Sequence, residues 1–277
     1  MTSFPPAGPA VSSAGTGGVA WWQALGAALA WAAVSVWTLF WTALSALLFL
    51  VHPLVDPHRR GTHRLAGVWG RGIIRMAGGR VRLFGRQNLP AGRPVVFLAN
   101  HQSYADVPTL FYIRRPFKWM ADEALFRIPF FGWAMRMAGY LPVERGSPQS
   151  ALRALEQAKE LLGQRISIFL FPEGTRSHTG AFGRFQTGGF RLAAMTGVPV
   201  VPVVVVGTRQ FLPWGQWLFR PNALLQIHIL PPLTVTASAS RSVREVHGIA
   251  RRVRAQMEQV YRSHLREICP PGKGRRA

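Results

Sequence analysis

The pattern of hydrophobic and polar positions divides the chain into three regimes. From Val19 to Val51 no side chain is charged, and five of the ten tryptophans (Trp21, Trp22, Trp31, Trp37 and Trp41) fall in that stretch. As one helix it would be roughly 50 Å long, against a bilayer hydrocarbon core of about 30 Å. A tilted span fits this length, and so does a helix embedded in the surface without crossing. A cleavable secretion signal fits poorly, because no basic segment precedes the run and the apolar part is too long. The second regime, about His58 to Gly78, sets Arg60, Arg64, Arg71 and Arg75 against Leu65, Val68, Trp69, Ile73 and Met76 at roughly helical spacing. That predicts a basic amphipathic helix lying on anionic headgroups, or a helix packed on a domain with its arginines in solvent. Gly61, Gly67, Gly70 and Gly72 count against the helix, since glycine is a poor helix former. Together the two segments read as a membrane-docking unit over residues 19–80.

From Val81 onward short apolar runs alternate with helical patterns, which is the rhythm of an α/β domain. The runs Val95–Ala99, Ile166–Phe171, Val200–Gly207 and Gln226–Leu230 predict strands, with Val81–Phe84 and Tyr140–Val143 as weaker ones. Helices are expected near Val107–Ile113 and Phe131–Ala138. A third has Ser147 as N-cap, Pro148 in the first turn and Gly163 as its stop. The segment Ser242–Ile268 opens with a capping-box pattern, Ser242 to Glu245. Its apolar face of Val243, Val246, Ile249, Val253, Met257, Val260 and Tyr261 suits packing on a sheet. Residues 1–18 are too rich in Gly, Pro, Ser and Thr to order themselves, and 270–277 read as a basic tail. The α/β domain is therefore expected over 81–269.

Charge adds a partner class. There are 33 basic and 11 acidic residues, a formal net charge of +22. Such an excess implies an anionic partner, whether nucleic acid, anionic lipid or phosphorylated substrate. Lys118, Lys159 and Lys273 are the only lysines. The arginine bias suits bidentate phosphate binding, although genomic base composition produces the same bias. The apolar run and the lack of a known binding motif argue against nucleic acid. Every Lys and Arg follows the apolar run, beginning at Arg59, so the positive-inside tendency places the domain on the cytoplasmic face of the inner or plasma membrane. The single cysteine, Cys269, allows no intrachain disulfide. The eight histidines show no paired ligand spacing, and no metal site is expected.

Two turns carry candidate chemistry. Asn100-His101-Gln102-Ser103-Tyr104-Ala105-Asp106 follows the strand at Val95–Ala99. A neutral imidazole at a strand exit takes a proton from a hydroxyl, and a carboxylate five residues on can hold its tautomer. Alone, the pair fits equally a histidine bonded to backbone and an aspartate capping a helix. The second turn, Pro172-Glu173-Gly174-Thr175-Arg176-Ser177, follows the strand Ile166–Phe171. Sites in α/β sheets gather at the carboxyl ends of strands, so the two turns are expected on one edge. Gly174 permits close backbone approach, Thr175 offers a donor, and Arg176 is a fork suited to phosphate. Glu173 would accept from a substrate hydroxyl, orient Arg176, or pair with it internally.

The strings NHQSYAD and FPEGTRS, in this order, resemble those of the glycerolipid acyltransferase family. Two more blocks match. One runs from Lys118-Trp119-Met120 through Pro129-Phe130-Phe131-Gly132-Trp133 to Gly139-Tyr140-Leu141-Pro142-Val143-Glu144-Arg145, and the other is Val198–Val203. The resemblance covers roughly Val81 to Gly207 and implies a mixed sheet flanked by helices behind an N-terminal membrane segment. It further implies transfer of a fatty acyl group from acyl-coenzyme A or acyl carrier protein, with no cofactor, to the sn-2 hydroxyl of lysophosphatidic acid at an anionic bilayer. His101 and Asp106 fall on the family's catalytic pair; Glu173, Gly174, Thr175 and Arg176 fall on its acceptor-binding block, and Arg145 becomes a second phosphate ligand. The pattern departs at Gln186, where the family often has lysine, with Arg184 or Arg191 as substitutes for the charge, and at Glu144, where aspartate is common. Other acceptors, a lysophospholipid or lyso-ornithine lipid, use similar motifs. A non-catalytic protein binding anionic membranes is the reading from a different class.

Overall fold

The computed structural model describes residues 21–56, 58–237 and 242–268, so the expected tails at 1–18 and 270–277 lie outside the described residues. Seven strands make one sheet: β1 (Arg80–Phe84), β2 (Val96–Ala99), β3 (Phe117–Asp122), β4 (Leu141–Val143), β5 (Ser167–Leu170), β6 (Val200–Val206) and β7 (Leu224–Ile229). Their order is β1-β7-β6-β2-β5-β3-β4. The strands β6, β2, β5, β3 and β4 run parallel, while β7 opposes β6 and carries β1 alongside it. The sheet is therefore mixed, as the resemblance implied. The exits of β2 and β5 are neighbours on one edge, which is what brings the two turns together.

Alternation along β2 shows why the sheet is buried on both faces. Val96 and Leu98 join one core, beside Ala158 and Leu162 of α6 (Pro148–Gly163), Phe190 and Leu192 of α7 (Gly188–Thr196), and Val253 and Met257 of α9 (Val243–Ile268). Val95, Phe97 and Ala99 point the other way, into a core with Leu110 of α3 (Asp106–Leu110) and Met135 of α5 (Phe131–Met137). Two-sided burial selects the continuous Val-rich run of β6, all seven residues of which are buried. Short α4 (Glu123–Phe126) and α8 (Thr208–Phe211) follow β3 and β6. The expected caps are present: Ser147 accepts from the Ser150 amide and Ser242 from the Glu245 amide.

Strand β3 is not a strand in the hydrophobic pattern, because Lys118 interrupts it. That lysine is buried, and its Nζ donates to the carbonyls of Ala138 and Arg59. Burial, with Arg59 nearby, brings its ammonium down to about 7. A buried cation is tolerated here because carbonyls take its protons, and no periodicity announces that.

At the amino-terminal side, α1 (Trp21–Val55) lies against α2 (Arg60–Met76) along much of its length. The Trp31 indole donates to the Trp217 carbonyl at 2.6 Å, the Trp37 indole to the Trp69 carbonyl at 3.0 Å, and the Trp69 indole to the Thr38 hydroxyl at 3.0 Å. Thr42 and Ser45 are buried on the same side. On the opposite side Leu25, Leu29, Val36, Leu39, Phe40, Leu47 and Leu50 are exposed.

Helix α2 departs from the headgroup-lying expectation. Thr62, His63, Gly67, Gly70, Ile73 and Ile74 are buried, so it packs on the domain and sits between α1 and α3. Its glycines, which count against a helix in isolation, have a packing reason. A Cβ at Gly70 would stand 2.6 Å from the Phe111 ring, and one at Gly72 would stand 2.5 Å from the Trp37 ring. Only glycine lets the backbone come so near to its neighbours on both sides, at a propensity cost of about 1 kcal/mol each. Arg60, Arg64 and Arg75 stay exposed.

Candidate active site

Asn100 fixes the exit of β2. Its amide makes a two-way link with the Val205 backbone of β6, donating to the carbonyl at 2.9 Å and accepting from the amide at 2.8 Å. The chain then turns through His101 into α3, which begins at Asp106. The Asp106 carboxylate is fully buried, and its Oδ2 receives three donors: His101 Nδ1 at 2.8 Å, the Gln102 amide at 2.6 Å and the Ser103 amide at 2.8 Å. An ionised carboxylate only accepts, so Nδ1 carries the proton and Nε2 is left with the basic lone pair. Asp106 is not the helix cap, since the N-cap position of α3 is Ala105 and carries no side-chain cap bond; one Asp106 oxygen instead tethers the turn and holds the imidazole.

The imidazole face rests on the Phe171 ring, with centroids 3.9 Å apart and planes inclined by 8°. Phe171 stacks in turn on Trp119 at 5.4 Å. The aromatic floor and the Asp106 bond leave the ring one orientation, with 16% of the side chain exposed.

Two contacts join the two turns, and a third anchors Glu173 beyond them. The His101 amide donates to Glu173 Oε1 at 2.9 Å, and the Ser177 amide donates to the His101 carbonyl at 2.9 Å. Glu173 Oε2 accepts from the Gly183 amide at 2.7 Å. Burial raises the Glu173 carboxyl above its ordinary range, against the opposing pull of those two amides. Glu173 therefore does not orient Arg176. Both of its oxygens serve backbone amides, and among the described residues no ion pair joins the two side chains. Gly174 has φ +71°, a left-handed conformation that glycine adopts without strain, and Thr175 beside it is exposed.

Arg176 is held by rings. Its guanidinium carbon lies 3.4 Å from the Tyr104 ring centroid and 4.3 Å from that of Trp214. Arg145 follows β4 on the same carboxyl edge of the sheet, two strands from the one that leads to Arg176. It pairs with Asp122 beyond the ends of β3 and β4, on an exposed side chain. Three strand spacings separate β4 from β2, about 14 Å. The Gln186 side chain is exposed, while its amide donates to the Pro172 carbonyl at 2.7 Å.

Sequence reasoning missed Asn100 as a tether, Phe171 as the floor under His101, and Trp214 as a wall on Arg176. Asn100 and Phe171 adjoin the two motifs, and a polar or aromatic residue ending a buried strand is a usable signal. Trp214 lies 38 residues from Arg176, and no local pattern connects them.

The geometry has counterparts in known proteins. Residues 80–206 match the family described as Acyltransferase. The chain is 40% identical over 179 residues to a chloroplast 1-acyl-sn-glycerol-3-phosphate acyltransferase of Arabidopsis thaliana, an alignment covering 63% of this chain and 50% of that protein. It thus spans about half the length of the chloroplast relatives it matches. It is 30% identical over 230 residues to the 1-acyl-sn-glycerol-3-phosphate acyltransferase of Pseudomonas aeruginosa, covering 81% of this chain and 87% of the other. The crystal structure of the 1-acyl-sn-glycerophosphate (LPA) acyltransferase PlsC from Thermotoga maritima is similar with a TM-score of 0.69 at 25% identity, over 90% of this chain and 97% of that one. With a match over most of a bacterial relative's length, this chain belongs to the acyltransferase family that includes these 1-acyl-sn-glycerol-3-phosphate acyltransferases.

Proposed function

We propose that the protein transfers a fatty acyl group from a thioester, acyl-coenzyme A or acyl carrier protein, to the sn-2 hydroxyl of lysophosphatidic acid, giving phosphatidic acid. The observation that carries the reading is the His101–Asp106 pair at 2.8 Å, tied by its own backbone to the turn that bears Arg176. The names of the relatives point to the same acceptor.

In this mechanism Nε2 of His101 takes the hydroxyl proton as the oxygen attacks the thioester carbonyl carbon. The Asp106 carboxylate holds the imidazole and stabilises the imidazolium. The tetrahedral adduct collapses with cleavage of the carbon–sulfur bond, and the imidazolium returns its proton to the thiolate. A positioned base of this kind contributes about 10²–10⁴-fold. Arg176 takes the acceptor phosphate, so the hydroxyl is oriented as well as bound. Gly174 and Thr175 give the headgroup an open approach beside it, and Glu173 supports the site through the backbone. Arg145 has a peripheral part, since an anion reaching it competes with Asp122.

The same reading seats the protein on the cytoplasmic leaflet, with α1 lying along the lipid. Contacts with the rest of the protein run from Trp31 to Phe49, where the Arg59 guanidinium lies over the Phe49 ring. The helix beyond Trp31 is only about 15 Å long, half of what a crossing needs. The exposed arginines of α2 and the net basic charge favour an anionic surface.

A panel of lysolipid acceptors, offered with each thioester to the purified full chain, tests the reading. Lysophosphatidic acid should be acylated fastest. Faster acylation of lysophosphatidylcholine or lyso-ornithine lipid would replace the acceptor, and no transfer to any lysolipid would leave a membrane-binding protein without catalysis.

A further inference from the structure

We infer that Trp214 and Tyr104 are positioning residues that clamp Arg176 flat and make the acceptor site select a terminal phosphomonoester. The inference rests on the acceptor reading above and goes further by naming what sets headgroup selectivity.

The two rings lie on the Arg176 guanidinium at 3.4 and 4.3 Å, and the His178 ring lies 3.9 Å from the Trp214 ring, continuing the stack. Tyr104 and Trp214 are both exposed. Large aromatic surfaces are left at the protein surface here, and what they cover is a cation. Among the described residues no carboxylate or carbonyl takes the N–H groups of Arg176, so its donors remain available at the guanidinium edge. Arginine prefers to meet a phosphate through two parallel N–H bonds in its own plane. With two rings packed against the guanidinium, its N–H edge is the approach left. A terminal phosphate presents two free oxygens to it. A phosphodiester must also bring its second alcohol past a ring wall, and a headgroup without phosphate gains nothing from the fork.

The walls are anchored to elements of different kinds. Tyr104 sits inside the His101–Asp106 turn, so the clamp shares a base with the catalytic pair. Trp214 rides on the segment after α8, which is pinned at three points. Ser103 Oγ donates to the Leu212 carbonyl at 2.8 Å, the Arg220 amide to the Phe211 carbonyl at 2.8 Å, and the Trp31 indole of α1 to the Trp217 carbonyl at 2.6 Å. A small open cleft of about 50 Å³ lies between the walls and α1, lined by Trp31, Gln102, Tyr104, Arg176, Trp214 and Trp217 among others. The clamp therefore lies on the side of the site that faces α1.

The experiment uses the full chain in detergent micelles, with two readouts on Trp214→Ala, Trp214→Phe and Trp133→Ala, the last an exposed tryptophan on α5. Turnover is measured with lysophosphatidic acid, lysophosphatidylglycerol and monoacylglycerol, and lysophosphatidic acid binding is measured by calorimetry. Trp214→Ala should weaken binding and raise the KM for lysophosphatidic acid about three- to thirtyfold, the range of a lost cation–π contact. Its preference over the other two acceptors should fall by the same factor. Trp214→Phe should recover most of the loss, and Trp133→Ala should leave the preference unchanged. An unchanged preference in a folded Trp214→Ala protein overturns the clamp, and so does an equal loss with all three acceptors. If wild type favours another acceptor while Trp214→Ala still weakens lysophosphatidic acid binding, the clamp stands and the acceptor reading fails.

Discussion

His101 and Arg176 lie on adjacent turns and are held in opposite ways. The imidazole is fixed by hydrogen bonds made within its own turn, through an aspartate five residues on, and by a phenylalanine floor. The guanidinium is fixed by two aromatic faces drawn from distant parts of the chain. Proton transfer needs one atom aimed within tenths of an ångström, which directional bonds supply. Anion capture needs a charge kept flat and unpaired, which rings supply without using up a donor.

The contrast can be broken by substitution, starting with the largest effect. His101→Ala should lower kcat by three orders of magnitude or more while leaving the protein folded and bound to liposomes. Activity within about tenfold of wild type would remove the base. Asp106→Asn should cost on the order of 10²-fold or more, because a neutral amide oxygen in the place of Oδ2 does not stabilise the imidazolium as the carboxylate does. A loss below tenfold would leave the aspartate a tether of the turn alone.

Glu173→Gln probes the joint between the turns. One of its two amide partners loses its acceptor, and kcat should fall about tenfold for every acceptor, unlike the acceptor-dependent loss expected at Trp214. Its stability also has a defined pH dependence. Burial raises the folded-state pKa, so the native protein holds this proton more tightly than the unfolded chain. The stability so gained is fully present below the unfolded value near 4.5 and is lost as pH rises through the raised value. Thermal unfolding should therefore show wild type losing ground to Glu173→Gln as pH increases from 4 to neutrality; a constant difference would discard the buried-charge account. The smallest effect is expected at Arg145→Ala, under about threefold in kcat/KM for lysophosphatidic acid, because Asp122 already engages that arginine. A tenfold rise in KM would return it to the phosphate site.

The same contrast explains what was legible in the sequence. The His101 device is local, so the six residues from His101 to Asp106 contain nearly all of it. The sheet was legible wherever runs of Val, Ile, Leu and Phe were unbroken, as in β2, β5 and β6. Strand β3 was not, because Lys118 is buried by carbonyls contributed from α5 and from the residue before α2. Helix α2 was legible as a helix but not in its seating, since the Arg and apolar pattern fits lipid and protein alike. The Arg176 clamp was invisible: its wall comes from an exposed tryptophan in a loop with no periodicity, and only the fold brings it there.

The glycines of α2 have a further consequence. Gly70 and Gly72 make that helix a thin spacer between α1 and the domain. On the proposed reading, its thickness sets how high the His101 imidazole stands over the lipid along which α1 would lie. A side chain at either position would act as a wedge, tilting or lifting the domain and changing the depth at which a glycerol backbone must rise to be acylated. If that reading holds, the geometry of the reaction relative to the membrane is adjusted at two residues packed between α1 and the domain.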